Sequence, residues 1–238
     1  MVSYDRTGPV AIIGIERGEK RNAIDNETAR ELGEAWDRFE DDKDALVGVL
    51  AGDEQAFSAG ADLEAMDLRD SPDGWLGFTR RRVSKPTIAA IEGYCVAGGL
   101  EMALWCDIRV AATGATFGCF EREYGVPLVD GGTQRLPRIV GLGRALDLIL
   151  TGRALQAPEA EEWGLVTRVV EDGTALEEAV ELAERLAAVP QRTVRTDRAA
   201  VYDGVGVPIE QGLAVEAWHG TRALETARAG ASRFADEP

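Results

Sequence analysis

Ala97-Gly98-Gly99-Leu100-Glu101 opens a periodic apolar run that continues to Cys106, so the two glycines read as the start of a helix. Thr87 to Ile91 before it and Ile108 to Ala111 after it are short β-branched and alanine runs that read as strands. A strand-helix-strand unit at the centre of the chain implies an α/β protein. Further upstream, Val10 to Ile15 and Leu46 to Leu50 read as strands, and Asn26 to Phe39 as the amphipathic helix between them, begun by acidic and amide residues suited to capping. From Gly173 onward the pattern turns helical, with an apolar stripe over Ala175 to Ala188, a break at Pro190 and another helix from Pro208 to Arg228. No sharp linker precedes it.

The glycines also carry chemistry. An amide at a helix N-terminus lacks an intrahelical acceptor, and a glycine lets a ligand approach the backbone where a Cβ would block it. Glu101 lies about one turn into the helix, so its carboxylate can point back toward whatever the amides hold. A second segment, Phe57-Ser58-Ala59-Gly60-Ala61-Asp62-Leu63, offers a further amide, and the two segments together read as an oxyanion hole. A glycine pair before a helix is by itself also compatible with a plain tight turn.

In five ordered blocks the chain resembles the crotonase, or enoyl-CoA hydratase/isomerase, superfamily. These are Glu19-Lys20-Arg21-Asn22-Ala23, Ala56 to Leu63, Lys85 to Tyr94, Ala97 to Asp107, and Gly131-Gly132-Thr133-Gln134-Arg135-Leu136-Pro137. The resemblance implies a spiral of ββα units, with residues 1–172 as the catalytic core and a packed helical region, 173–238, that serves oligomerisation as a trimer or a dimer of trimers. It implies that the amides of Ala61 and Gly98 hold a thioester oxygen. Glu101 would orient and deprotonate water, and a second glutamate would exchange the proton at C2. Family hydratases tend to carry a proline before that second acid, whereas this chain reads Cys119-Phe120-Glu121-Arg122-Glu123. Counting to the Gly-Gly-Thr-Gln-Arg-Leu block places Glu121 at the catalytic position and leaves Glu123 as a neighbour.

Arg21, Ala23, Ala59, Asp62 and Leu63 match the family segments that contact coenzyme A, and Gly99 accompanies the oxyanion amide. Only part of the basic C-terminal tail of some relatives is retained, in Ser232-Arg233-Phe234, which implies weaker phosphate contacts. Asp130 either touches substrate, as an aspartate nearby does in dienoyl-CoA isomerases at a spacing one residue different, or caps the helical segment after it. Trp75 and Phe78 either line the acyl channel or pack a helix against a neighbouring subunit. The activity implied is an enoyl-CoA hydratase of fatty-acid β-oxidation type, with no cofactor beyond the CoA of the substrate. The alternatives are another crotonase reaction, such as isomerisation or dehydration of a specialised acyl-CoA, and a CoA-binding oligomer in which Phe120 and Arg122 misplace Glu121.

Composition fits these expectations and excludes others. A formal net charge of -16 over 238 residues argues against a nucleic-acid surface. Lysine occurs only at Lys20, Lys43 and Lys85 against abundant arginine and acid, a bias expected of a salt-adapted organism, because high ionic strength screens an acidic surface. The expectation is a cytoplasmic protein, with no apolar run of membrane-spanning length and no N-terminal pattern of a signal peptide. Cys95, Cys106 and Cys119 have no metal or redox spacing and read as reduced, buried residues, with Cys119 near enough to Glu121 to line the pocket. His219 is the single histidine, and no Gly-x-Ser-x-Gly elbow occurs, so the serine-histidine chemistry of peptidases with a related fold is not expected. No metal-ligand motif is present.

Overall fold

Gly8, at φ +55°, turns the chain from β1 (Val2–Thr7) into β2 (Val10–Ile15), which pair antiparallel. The computed structural model describes residues 1–236. Asp25 then caps α1 (Asn26–Asp41), its side chain accepting the Thr28 amide at 2.8 Å. The helix runs two residues beyond its predicted end. β3 (Val47–Ala51) and β4 (Ala56–Ser58) follow, and a long irregular stretch leads to β5 (Thr87–Ile91).

From there the chain winds as a spiral. β5 lies in one sheet, β6 (Tyr94–Val96) in a second, and α2 (Gly98–Trp105) returns the chain. β7 (Ile108–Ala112) and β8 (Thr116–Gly118) repeat the step, followed by a 3-10 turn over Phe120–Tyr124 and by α3 (Gly132–Val140). The remaining elements are α4 (Leu142–Thr151), β9 (Leu155–Gln156), α5 (Ala157–Glu162), β10 (Arg168–Val170) and α6 (Ala175–Ala187). After them come α7 (Gln191–Gly204), α8 (Ile209–Thr221) and α9 (Leu224–Asp236).

The larger sheet has the order β1-β2-β3-β5-β7-β10, parallel beyond the hairpin, and the smaller one β4-β6-β8-β9. Both faces of the larger sheet are covered, which is why β3 and β5 are buried at every position. On one face Val47, Val49, Ile88, Ala90 and Val110 meet Ala179, Leu182 and Ala183 of α6. On the other, Gly48 lets Trp36 and Phe39 approach so closely that an added Cβ would stand 3.0 to 3.1 Å from their rings. Trp36 packs against Trp105 at a tilt, with ring centroids 4.6 Å apart, and Phe78 meets Trp105 edge-on at 4.8 Å.

Two features of the C-terminal region differ from expectation. The helix predicted over Pro208 to Arg228 is two helices, α8 and α9, parted at Arg222-Ala223. α7 has no apolar stripe and buries none of its residues, so periodicity gave no sign of it. Polar anchors hold it: Arg198 donates to the Asp107 carboxylate and the Val83 carbonyl, both at 2.7 Å, and the Tyr202 hydroxyl donates to Asp107 at 2.6 Å. His219 on α8 is buried and bonds Asp203 of α7 at 2.8 Å, so it ties these two helices together.

Candidate active site

The two glycine-bearing segments touch. A Cβ on Gly60, which sits at φ +85°, would stand 2.5 Å from the Gly98 nitrogen. Ser58 fixes its own segment by donating to the Asn22 carbonyl at 2.7 Å and accepting the Gly60 amide at 3.0 Å. The Asp62 amide donates to the Ile24 carbonyl and the Ile24 amide to the Gly60 carbonyl, yet the Ala61 amide between them has no acceptor among the described residues. On the other side, Ala97 donates to the Gly118 carbonyl, while Gly98, first in α2, has no acceptor among the described residues. Ala97 is held at φ +52° and ψ -126°, a backbone region that disfavours any side chain, so the packing around it maintains local strain where the helix begins.

The two residues that carry these free amides, Ala61 and Gly98, both line a cavity of about 340 Å³. Glu101 and Glu121 both line it and both are buried. Their anchoring differs. Glu101 Oε1 accepts the Gly132 amide at 2.7 Å and the Asp130 amide at 2.9 Å, which holds the carboxylate against the N-terminus of α3. Neither oxygen of Glu121 has a hydrogen-bond partner among the described residues.

Burial dominates both titrations. It pushes Glu101 up to about 7; the Gly132 and Asp130 amides oppose this, and the charges of Asp130 and Glu121 add to it. Burial also raises Glu121, partly offset by its own amide, which lies nearby without hydrogen-bonding geometry, and by Arg122. A pair of carboxyls raised by burial around one cavity keeps a proton available near neutral pH.

Ala59, Ala61, Leu63, Arg21, Gly98, Trp75 and Asp130 also line the cavity. Arg21, left-handed at φ +51°, stands at its rim with its guanidinium 5.7 Å from the centre of the Tyr94 ring. Several residues named from the sequence stand elsewhere. Phe78 is fully buried against Trp36 and Trp105, so it belongs to the core rather than to an acyl channel. Asp62 does not line the cavity: its carboxylate pairs with Arg17 at 3.1 Å and accepts the Glu64 and Ala65 amides. Although burial opposes it, these donors hold Asp62 below the usual carboxylate range. Ala23 is buried behind the same cluster, its carbonyl accepting from Arg17 at 2.5 Å. Gly99 faces away, and its close contact is with the Ser58 carbonyl. Cys119 is fully buried outside the cavity wall, with its thiol pushed up to about 12 by burial. Glu123 is exposed.

Asp130 does not cap α3, whose cap is Gly131 without a side-chain bond. Its carboxylate instead accepts from the Thr79 hydroxyl and the Leu76 amide, 51 and 54 residues upstream in sequence. Sequence reading also missed Arg17, whose guanidinium ties together Asp25, Asp62 and the Ala23 carbonyl beside the glycine-bearing Ser58 to Asp62 segment. As a lone arginine in a turn it carried no signal that it is buried.

The geometry matches known proteins along its whole length. Residues 5–237 match the family model described as enoyl-CoA hydratase/isomerase. A probable enoyl-CoA hydratase from Rhizobium meliloti is 40% identical over 215 residues, covering 88% of this chain and 84% of that protein. The mevalonyl-coenzyme A hydratase sidH of Aspergillus fumigatus is 38% identical, covering 86% of this chain and 78% of that protein. The crystal structure of enoyl-CoA hydratase from Mycobacterium tuberculosis H37Rv superposes with a TM-score of 0.93 at 35% identity, covering 99% of this chain and 95% of that one. The chain belongs to the enoyl-CoA hydratase/isomerase family and has the crotonase fold.

Proposed function

We propose that this protein is an enoyl-CoA hydratase that adds water across the 2,3 double bond of a trans-2-enoyl-CoA. One observation carries the reading: two unpaired amides and two buried carboxyls, one anchored and one not, open on the same cavity. The thioester oxygen binds between the Ala61 and Gly98 amides, where negative charge grows as the enolate forms. Loss of one such donor costs about 3 to 4 kcal/mol in related chemistry. Glu101 in its carboxylate form takes a proton from water as the new oxygen-carbon bond forms at C3. Glu121 in its acid form gives its proton to C2, and the two acids recover their starting states when the next water exchanges a proton between them.

Arg21, Ala59 and Leu63 take the CoA portion, with Ala23 and Asp62 backing that wall and Gly99 allowing the two oxyanion segments to pack. Trp75 lies along the acyl chain. No cofactor beyond the CoA of the substrate is required by this chemistry. Exposed Ile209, Leu213 and Trp218 on α8 support self-association through residues 173–238 as a trimer or dimer of trimers, and exposed Leu142, Leu146 and Leu150 on α4, spaced by four, offer a further apolar face on the core. Three unpaired buried cysteines suit the reducing cytoplasm, and the acidic composition suits high internal salt. Among the described residues no helix is long and apolar enough to cross a membrane.

The direct test follows the enoyl-thioester absorbance of crotonyl-CoA in high salt with the native chain, Glu101→Gln and Glu121→Gln. Consumption by the native chain that either change abolishes supports the two-acid hydratase. Turnover surviving Glu121→Gln moves the second acid elsewhere. Binding of CoA without turnover by the native chain overturns the reading in favour of another acyl-CoA reaction or a binding role.

A further inference from the structure

Asp130 is the one acid on the cavity wall that the proposed water addition does not use, and it is only 2% exposed. Its three polar parts reach three different pieces of the site. Through Oδ1 the carboxylate accepts from the Thr79 hydroxyl and, at 3.3 Å, from the Leu76 amide. Its own amide donates to Glu101 Oε1 at 2.9 Å. Its carbonyl accepts from Arg135 at 2.8 Å, and the same guanidinium donates to the Thr79 carbonyl at 2.5 Å, closing a ring of contacts. Gly74, at φ +95°, completes the fit, because a Cβ there would collide with the Asp130 carboxylate and with the Thr79 hydroxyl.

The segment held this way forms part of the cavity wall. Trp75 and Leu76 both line it, and the Leu76 side chain lies 3.1 Å from where a Cβ on Gly98 would stand, so it packs against the residue that carries the free amide. This segment crosses open chain between β4 and β5 and has no ladder hydrogen bonds of its own. A buried side-chain acceptor that receives two donors from it is therefore a principal tie to the catalytic helix end.

We propose that Asp130 is a positioning residue that acts on two parts of the site at once: its carboxylate fixes the Leu76 wall beside Gly98, and its backbone amide fixes the orientation of Glu101. This rests on the hydratase reading for its kinetic consequences, but not for the titration of Glu101 itself. Asp130 touches Glu101 through its amide and is buried on the same cavity wall, and its charge is one of the causes that raise the Glu101 titration, after burial itself. The other titratable or charged groups around Glu101 among the described residues are Glu121, which lines the same cavity, Arg135 behind Asp130, and the buried Cys119 thiol, which burial keeps protonated.

Asp130→Asn keeps the shape and an acceptor for Thr79 while removing the charge. Titration of the resting protein by carbon-13 NMR of labelled glutamate carboxyls, with Glu101 assigned by its loss in Glu101→Gln, should find the Glu101 midpoint lowered by on the order of half a pH unit or more in Asp130→Asn. In turnover the acid limb of the pH profile should move the same way. Thr79→Val, which removes a donor and leaves the charge, should raise KM several-fold with the Glu101 midpoint and the pH profile unmoved. A Glu101 midpoint that is the same in native protein and Asp130→Asn overturns the Glu101 half of the proposal whether or not the protein hydrates enoyl-CoA. An unchanged KM in Thr79→Val overturns the wall-fixing half. If the native protein turns over no enoyl-CoA, the hydratase reading fails, the Glu101 titration still decides the Glu101 half, and binding of a non-reactive acyl-CoA to Thr79→Val decides the other.

Discussion

Glu101 and Glu121 are the same residue type, both buried on one cavity, yet the regions that carry them are built differently. Glu101 projects from an eight-residue helix whose residues beyond the first are buried, and two amides from the start of α3 grip one of its oxygens. Glu121 sits on a five-residue 3-10 turn, between an aromatic on the cavity wall and an exposed arginine, and no group grips it. An anchored carboxylate keeps one direction and suits the orientation of a water. An unanchored one with a raised proton affinity is free to swing and to deliver a proton. Position in the fold, rather than chemistry of the side chain, sets the two apart, and the proposed reaction assigns them different tasks on that ground.

The contrast is broken most severely by removing the acids. Glu101→Gln and Glu121→Gln should each lower kcat by about 10²- to 10⁴-fold with KM within a few-fold of native, the range typical of a positioned acid or base. The double variant should lose little more than the worse single one, because the two act as a unit. Multiplicative losses in steady-state assays would show that the acids work independently.

Next in size is the oxyanion hole. Gly60→Ala forces a Cβ into contact with the Gly98 nitrogen and strains a residue at φ +85°. Its kcat should fall by about 10²-fold, the scale for losing one oxyanion donor, while circular dichroism stays native. Native turnover in this variant would remove the Gly98 amide from the mechanism.

The anchored acid should also be visible in stability. A carboxyl raised from 4.5 to about 7 by burial binds more protons folded than unfolded between those values, so its contribution to stability declines as pH rises from about 4.5 and has been lost above about 7. Keeping Glu101 ionised in the fold therefore costs on the order of 3 kcal/mol at pH 8. Glu101→Gln should melt several degrees above native at pH 8, and that gain should shrink toward pH 4.5. A melting difference independent of pH would mean that Glu101 is not strained by burial.

The smallest effect expected concerns the surface. With 42 acidic and 26 basic residues, the native chain should melt higher as salt rises, by a margin that Glu101→Gln leaves unchanged because its site is shielded from solvent. Full stability in dilute buffer would count against salt adaptation.

Much of this was legible before any coordinates. Strands β2 and β5 begin and end where β-branched and alanine runs said they would, and α1 starts at its Asp25 cap. The glycines of the two touching segments, Gly60 and Gly98, were readable because a close backbone approach tolerates little else. α7 was not, since a helix held by Arg198 and Tyr202 to Asp107 needs no apolar period. The surroundings of Phe78 and Asp62 were not legible either: Phe78 suits an acyl channel or a subunit contact but packs on Trp36 and Trp105, and Asp62, assigned to the CoA wall by resemblance, has its carboxylate paired with the buried Arg17.

The sequence by itself determined the α/β class, the family and the two backbone segments that face each other, because local spacing and glycine placement are constraints on neighbouring atoms. Only the tertiary structure decided that Glu101 is gripped and Glu121 is not, and that Asp130 reaches Thr79 across 51 residues. Burial and long-range hydrogen bonds depend on which surfaces the fold brings together, and no local pattern in the chain carries that information.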